Sequence, residues 1–184
     1  MNKKLIISIF VILALVIGGW FYFSNKNKQK ENISDYKPEE EISEQQLRQT
    51  IVSLYFKNKD TNELMPEGRL IDVKNLISEP YKTLMNLLME GPKNEKLEKT
   101  IPEGTIINKL ELKKDILYID FSKEFVENHK DGEEIESATI YSIVNTVTEL
   151  TEVNGIKILI DGEENKSFKD NKIKFNEVFV RNDK

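Results

Sequence analysis

Leu5 to Phe23, LIISIFVILALVIGGWFYF, runs for nineteen residues without a charge. At about 1.5 Å of rise per residue, a helix of that length nearly crosses a hydrocarbon core about 30 Å thick. The run predicts a membrane span. A cleaved signal peptide needs a shorter apolar region followed by small residues in an A-x-A-like arrangement, whereas this run ends in Trp20, Phe21, Tyr22 and Phe23. A lipoprotein needs a cysteine after its signal, and the chain has none. The segment therefore reads as an uncleaved anchor over residues 1–23, with Trp20 and Tyr22 at the interface where amphipathic rings settle.

Lys3 and Lys4 on one side of the run face Lys26, Lys28 and Lys30 on the other, so the positive-inside count favours neither orientation. An anchor starting at residue 5 most simply places everything behind it outside the cytoplasm. The expected location is the cell membrane, crossed once, with the C-terminal domain outside. The lack of cysteine excludes a disulfide framework and a Cys-ligated metal but is compatible with either compartment.

Setting aside those five lysines leaves 22 basic and 32 acidic residues, a formal charge of −10. A phosphate backbone or an anionic headgroup repels such a surface, so no nucleic-acid partner is expected and the only membrane contact is through the N-terminal helix. Ser24 to Arg48 is nearly devoid of core-forming residues and carries Pro38 beside Glu39, Glu40 and Glu41. Residues 24–48 read as a polar linker, which leaves 49–184 as the domain.

Within that domain Ile51 to Phe56, IVSLYF, predicts a buried strand, and KNKDTNE a turn after it. MPEGRLIDV reads as a turn followed by a short strand. In SEPYKTLMNLLMEGP, the residues Tyr81, Leu84, Met85 and Leu88 mark one helical face. Ser78 is the candidate cap, Pro80 fits the first turn, and Gly91 with Pro92 stops the helix. The tripeptide PEG recurs at Pro102 to Gly104, and both copies read as turns that lead into strands.

IPEGTIINKLEL alternates, with Ile106, Leu110 and Leu112 on one face and Ile107, Lys109 and Glu111 on the other. DILYIDF follows across KKD, so the two predict an antiparallel hairpin. SATIYSIVNTVTELTEVNG places Ile140, Ile143, Val144 and Val147 at helical spacing, with Ser137 as cap and Asn154–Gly155 as stop. IKILI then predicts a last strand ending at Asp161–Gly162, and Phe175, Val178, Phe179 and Val180 are expected to tuck against the core. The fold class is α+β, with one small, mostly antiparallel sheet backed by two helices.

IVSLYFKNKD, EPYKTLMNLLMEGP, IPEGTIINKLELKKDILYIDFSKEF and ATIYSIVNTVTEL followed by IKILIDGE resemble, in order and spacing, the GerMN domain, the sporulation and spore-germination domain of bacterial envelope proteins. The resemblance covers roughly Ile51 to Gly162. It implies a sheet-and-helix module similar to the ring-building modules of secretion systems, exposed at the envelope, with no catalytic constellation to carry over. The turn Lys113 to Asp115 lacks the glycine that family members often have, which is expected to stiffen or widen it, and one copy of the domain is present.

The residues alone also argue against an enzyme. A carboxylate pair for hydrolysis sits about 5 to 9.5 Å apart, and Asp120 with Glu124 or Glu133 could supply one. With 32 acidic residues in 184, however, such pairs arise by chance. Asp120 instead reads as the end of its strand, offering with Ser122 side-chain oxygens to the turn through Glu124 and Phe125. His129, the only histidine, reads as an exposed loop residue. The segments DGEEIE and DGEEN lack the ligand pattern of a calcium loop, and Asn145 and Thr146 read as facing solvent or bonding the neighbouring helical turn. No catalytic, cofactor-binding or metal-ligating residue is expected, and no cofactor.

The function that follows is binding or scaffolding among envelope proteins, tied to sporulation or germination, with weak self-association on the membrane. The alternative is an accessory module that recognises a cell-wall fragment or a small germinant. A scaffold should show an exposed apolar patch or an unpaired sheet edge, and a ligand module a concave pocket with a few convergent polar groups.

Overall fold

The computed structural model describes Trp20, Tyr22 and residues 48–181. The predicted span Leu5 to Phe23 and the linker 24–48 lie outside the described residues, apart from Trp20 and Tyr22, which are helical, and Arg48. Among the described residues no helix is long and apolar enough to cross a membrane.

β1 (Gln49–Asn58) is a strand as expected, but it is buried on one face only. Leu54 and Phe56 are fully buried while Ile51 is 70% exposed, because side chains alternate across a strand and the apolar run supplies both faces. β2 (Leu64–Asp72) pairs antiparallel with it over its whole length. The tripeptide Pro66 to Gly68 is therefore not a turn: it lies inside β2, opposite Ser53, Leu54 and Tyr55. Pro102 to Gly104 does form the expected turn, with Gly104 at φ +82°.

A short helix, α1 (Val73–Ser78), follows at once and has no counterpart in the sequence reading. Its cap is Asp72, whose Oδ1 accepts from Lys74 N at 2.8 Å. Ser78 thus ends α1 rather than capping α2 (Pro80–Glu90), which starts on Pro80 without a side-chain cap. Proline suits that first position because it carries no N–H to leave unsatisfied and its fixed φ already matches the helix. Leu84, Met85 and Leu88 of α2 are buried, and Gly91 ends the helix at φ +93°. β3 (Leu97–Glu98) then returns to pair with β1 at Lys57 and Asn58.

β4 (Ile107–Lys113) and β5 (Ile116–Phe121) form the expected hairpin. A bulge between Ile107 and Lys109 shifts the register, so Ile107 joins Leu110 and Leu112 against the core and Ile106 is left 60% exposed. One extra residue reverses the inward face, which strict alternation cannot foresee. The turn is not widened, since Lys113 pairs with Ile116 and Lys114 itself takes φ +60°.

α3 (Glu124–Glu127) and α4 (Glu133–Val147) carry the chain over to β6 (Gly155–Ile160), which lies parallel to β5. Parallel neighbours require such a crossover. Ser137 sits inside α4, not at its start; the helix opens at Glu133 after Gly132, with Glu133, Glu134 and Glu136 in the first turn, where acidic side chains favour the helix dipole. Nor do Asn154 and Gly155 stop it. Asn154 donates from N and Nδ2 to Asp115 of the hairpin turn, at 2.7 and 2.9 Å, and Gly155 opens β6.

β7 (Phe179–Val180) completes the second sheet against β6. The architecture is thus α+β with two sheets instead of one: an antiparallel β2–β1–β3 and a mixed β4–β5–β6–β7. α4 packs against β1 and α2, and Leu54, Phe56, Leu88, Ile119, Ile143 and Ile158 belong to one core. Of the tail, Phe175 is fully buried and Phe179 packs on the core, whereas Val178 and Val180 stay largely exposed.

Gly155 admits β7. A Cβ on it would lie 2.7 Å from Phe179 O and 3.1 Å from the Cγ1 atoms of Val178 and Val180. Gly155→Ala is expected to push β7 off its neighbour and cost about 1–3 kcal/mol in a urea melt, the usual range for forced overpacking.

Candidate functional site

The three carboxylates that could have made a hydrolytic pair have separate structural duties. Asp120 Oδ1 accepts from Gly162 N at 2.8 Å, which ties β5 to the turn after β6. Glu124, at the start of α3, hydrogen-bonds the Ser122 side chain, and that bond holds its carboxyl below the ordinary range. Glu133 pairs with Lys172 at 3.4 Å. Ser122 Oγ accepts from Ile106 N at 3.0 Å, just before β4, so the backbone N–H it receives is not one from the turn through Glu124 and Phe125, which it meets only through the Glu124 side chain.

His129 is not an exposed loop residue: it is 4% exposed and packs on Phe168 with ring centroids 4.5 Å apart. Burial pushes its imidazole below the ordinary value, so the ring is neutral at pH 7. Nδ1 lies 2.7 Å from Lys130 O, which can only accept, and so carries the proton. Nε2, 2.8 Å from Thr139 Oγ1, is then the acceptor for that hydroxyl's single proton, with Thr100 O and Ile135 O, 2.9 and 3.1 Å from the same oxygen, as its alternative acceptors. Both nitrogens are engaged, which leaves no free base. Asp120→Asn, Glu124→Gln and His129→Ala are accordingly expected to alter stability or binding at most and to leave no turnover to lose; a hydrolytic activity on wall polymer abolished by one of them, with folding intact, would contradict this.

His129 and Thr139 form part of the wall of a cleft of about 510 Å³ between the strap Glu98 to Glu103, the end of α3 and the start of α4. Its apolar lining is Ile101, Pro102, Ile135 and Ala138. Two ion pairs cross its edges, Lys57–Glu98 at 2.7 Å and Lys99–Glu103 at 2.8 Å. Sequence reading missed this place, because the strap and α4 are far apart in the chain and no local pattern marks their meeting.

A second feature is the edge of β1. Tyr55 N donates to Thr146 Oγ1 at 3.0 Å, and Tyr55 O accepts from Ser142 Oγ at 2.5 Å, so one face of α4 stands in for a strand. Thr146 is therefore buried against a strand and does not face solvent. Asn145 beside it is half-buried, with Oδ1 unpartnered. β3 pairs only with Lys57 and Asn58, so Gln49 to Ser53 has no strand partner on that side among the described residues. Ile51 and Leu70, directly opposite each other across β1 and β2, are 70% and 62% exposed. The structure thus shows both an unpaired edge with an apolar pair and a concave cleft.

Residues 53–166 match the family model described as Germane, sporulation and spore germination. Among solved structures, the chain is similar to the tandem GerMN domains of the sporulation protein GerM from Bacillus subtilis, with a TM-score of 0.61 and 21% identity. That match covers 74% of this chain but only 47% of the tandem structure, so the chain spans about half of its length. The first GerMN domain of the same protein gives a TM-score of 0.59 at 21% identity, covering 72% of this chain and 98% of that one. A putative lipoprotein from Clostridium perfringens gives 0.50 at 25% identity, over 73% and 89%. No curated protein gives a significant match. With the family model spanning more than half of its length and the α+β fold agreeing with GerMN structures, the chain belongs to the Germane family of sporulation and spore germination domains.

Proposed function

We propose that this protein is a non-enzymatic binding or scaffolding module of the bacterial envelope, held on the outer side of the cell membrane by Leu5 to Phe23. Its partner is another envelope protein of spore formation or germination. Family membership supports the process, and the sporulation and lipoprotein descriptions of its structural relatives support the location. The observation that carries the binding role is the open edge of β1 beside Ile51 and Leu70. An extended segment added there gains main-chain hydrogen bonds from the edge and apolar contact from Ile51, with Leu70 one strand further along the same face.

A photo-crosslinking residue in place of Leu70 is expected to capture one envelope protein in sporulating cells. Ile51→Lys should abolish that product without lowering the melting temperature, since Ile51 makes little use of burial. The membrane pellet should keep the protein through an alkaline carbonate wash, because charge screening does not reverse apolar insertion. An unchanged crosslink in the Ile51→Lys protein would refute binding at this edge, and a soluble mature form beginning after Phe23 would refute the anchor.

A further inference from the structure

The cleft beside His129 has features that a protein-docking edge does not require. Its volume, about 510 Å³, falls within the range of about 300 to 1,000 Å³ that holds small ligands. Two of its polar residues, His129 and Thr139, are 4% and 0% exposed, and burying them is tolerated because each is hydrogen-bonded. Lys57 is nearly buried as well, its side chain 13% exposed.

Charge selects the ligand. Lys57, Lys99 and Lys130 line the cleft against Glu98 and Glu103, a local reversal of sign on an acidic protein. Both glutamates are already paired, with Lys57 and Lys99. Lys130 is the lining cation without an ion pair among the described residues, and the neutral ring of His129 fixes its backbone by donating to Lys130 O. Asn128 donates Nδ2 to Glu103 O, which holds its side chain at the same rim with Oδ1 left to accept. The floor, Ile101 with Ile135 and Ala138, offers apolar contact but no charge.

We infer that this cleft binds a small carboxylate of about dipeptide size, with the carboxylate on Lys130, an N–H on Asn128 Oδ1 and an apolar side against Ile101, Ile135 and Ala138. Lys130 supplies the one uncompensated charge, so the ligand is a monoanion at that end. His129 acts as a positioning residue.

The test uses the full-length chain, isotope-labelled in detergent micelles, titrated with dialanine, dialanine amide and acetate while amide resonances are followed. Dialanine is expected to shift Lys130, Thr100 and Ala138 saturably, with Kd about 1 mM, the level open to so small a ligand. The amide, which lacks the carboxylate, should bind at least about tenfold more weakly, as should the Lys130→Gln protein. Ala138→Leu, which fills the floor, should abolish the shifts; if that protein misfolds, Lys130→Gln at its exposed site decides alone. No saturable shift up to about 10 mM, equal binding of the amide, equal binding of acetate, or unchanged affinity in Lys130→Gln would each overturn the inference.

Discussion

Glu136 should take about 2–3 kcal/mol from stability as pH rises from about 4.5 to about 7, read as the difference between the wild type and Glu136→Gln, because the buried His129, whose pKa is lowered, pulls the total the other way. Glu136 lies on the first turn of α4, 1% exposed, with Oε2 unpartnered. Burial, the Asp170 carboxyl bonded to it and the nearby Asp131 push it up to about 7, with only Lys172 opposing. An unfolded chain releases this proton near 4.5, whereas the folded one keeps it to about 7. The folded state therefore binds the extra proton in between, and the stability present below 4.5 is lost as pH rises through the folded value. Glutamine reproduces the protonated form and can donate to Asp170, so at pH 8 it should be the more stable protein in urea melts. A difference between wild type and Glu136→Gln that does not change from pH 5 to 8, or a destabilised Glu136→Gln protein at pH 8, would contradict this.

Removing Arg69 should be costlier still. Its guanidinium is 5% exposed, 2.6 Å from Glu67 Oε1, and donates to Gly91 O at 2.6 Å. Burial alone would raise the Glu67 carboxyl, but the N–H groups of Asn94 and Lys93, together with Arg69, hold it below the ordinary range. β2 is thereby clamped to the segment that leaves α2. Arg69→Met leaves a carboxylate buried without its cation, which costs about 3–5 kcal/mol. Adding Glu67→Gln should recover part of that loss, because the two residues share one network and their effects do not add. Equal destabilisation in the single and double variants would show that the pair is not coupled.

Neither of these groups stood out in the sequence, and the reason is common to both. Arg69 and Glu136 look like ordinary members of a highly charged chain until segments distant in sequence bury them. Apolar spacing and apolar runs were legible: the buried face of α2 and the strands β5 and β6 all appear where those patterns place them. Features set by one residue were not. The bulge after Ile107 put Ile107 inward in place of Ile106, and the positive φ of Lys114 kept the hairpin tight without glycine. Ser78 and Ser137 carried cap chemistry but lie within helices, since Pro80 and the acidic turn at Glu133 start those helices without them. His129 sat in a polar stretch, yet Phe168, nearly forty positions on, folds back over its ring. Division into two sheets follows from β1 pairing with β2 and β3 and with no strand of the second sheet, a choice of partners that no local pattern in the sequence marks.

The central claim is that the open edge of β1 serves a different protein, not a second copy of this one. Residues 49–184 hold 20 basic and 26 acidic residues, a formal charge of −6, so identical faces brought together repel. Only confinement on a membrane would make weak self-contact effective, by raising local concentration without adding any contact. Sedimentation of residues 49–184 at low and at physiological salt measures this directly. The account predicts a folded monomer at micromolar concentration under both conditions; a stable dimer or ring, strongest where salt cannot screen repulsion, would contradict it.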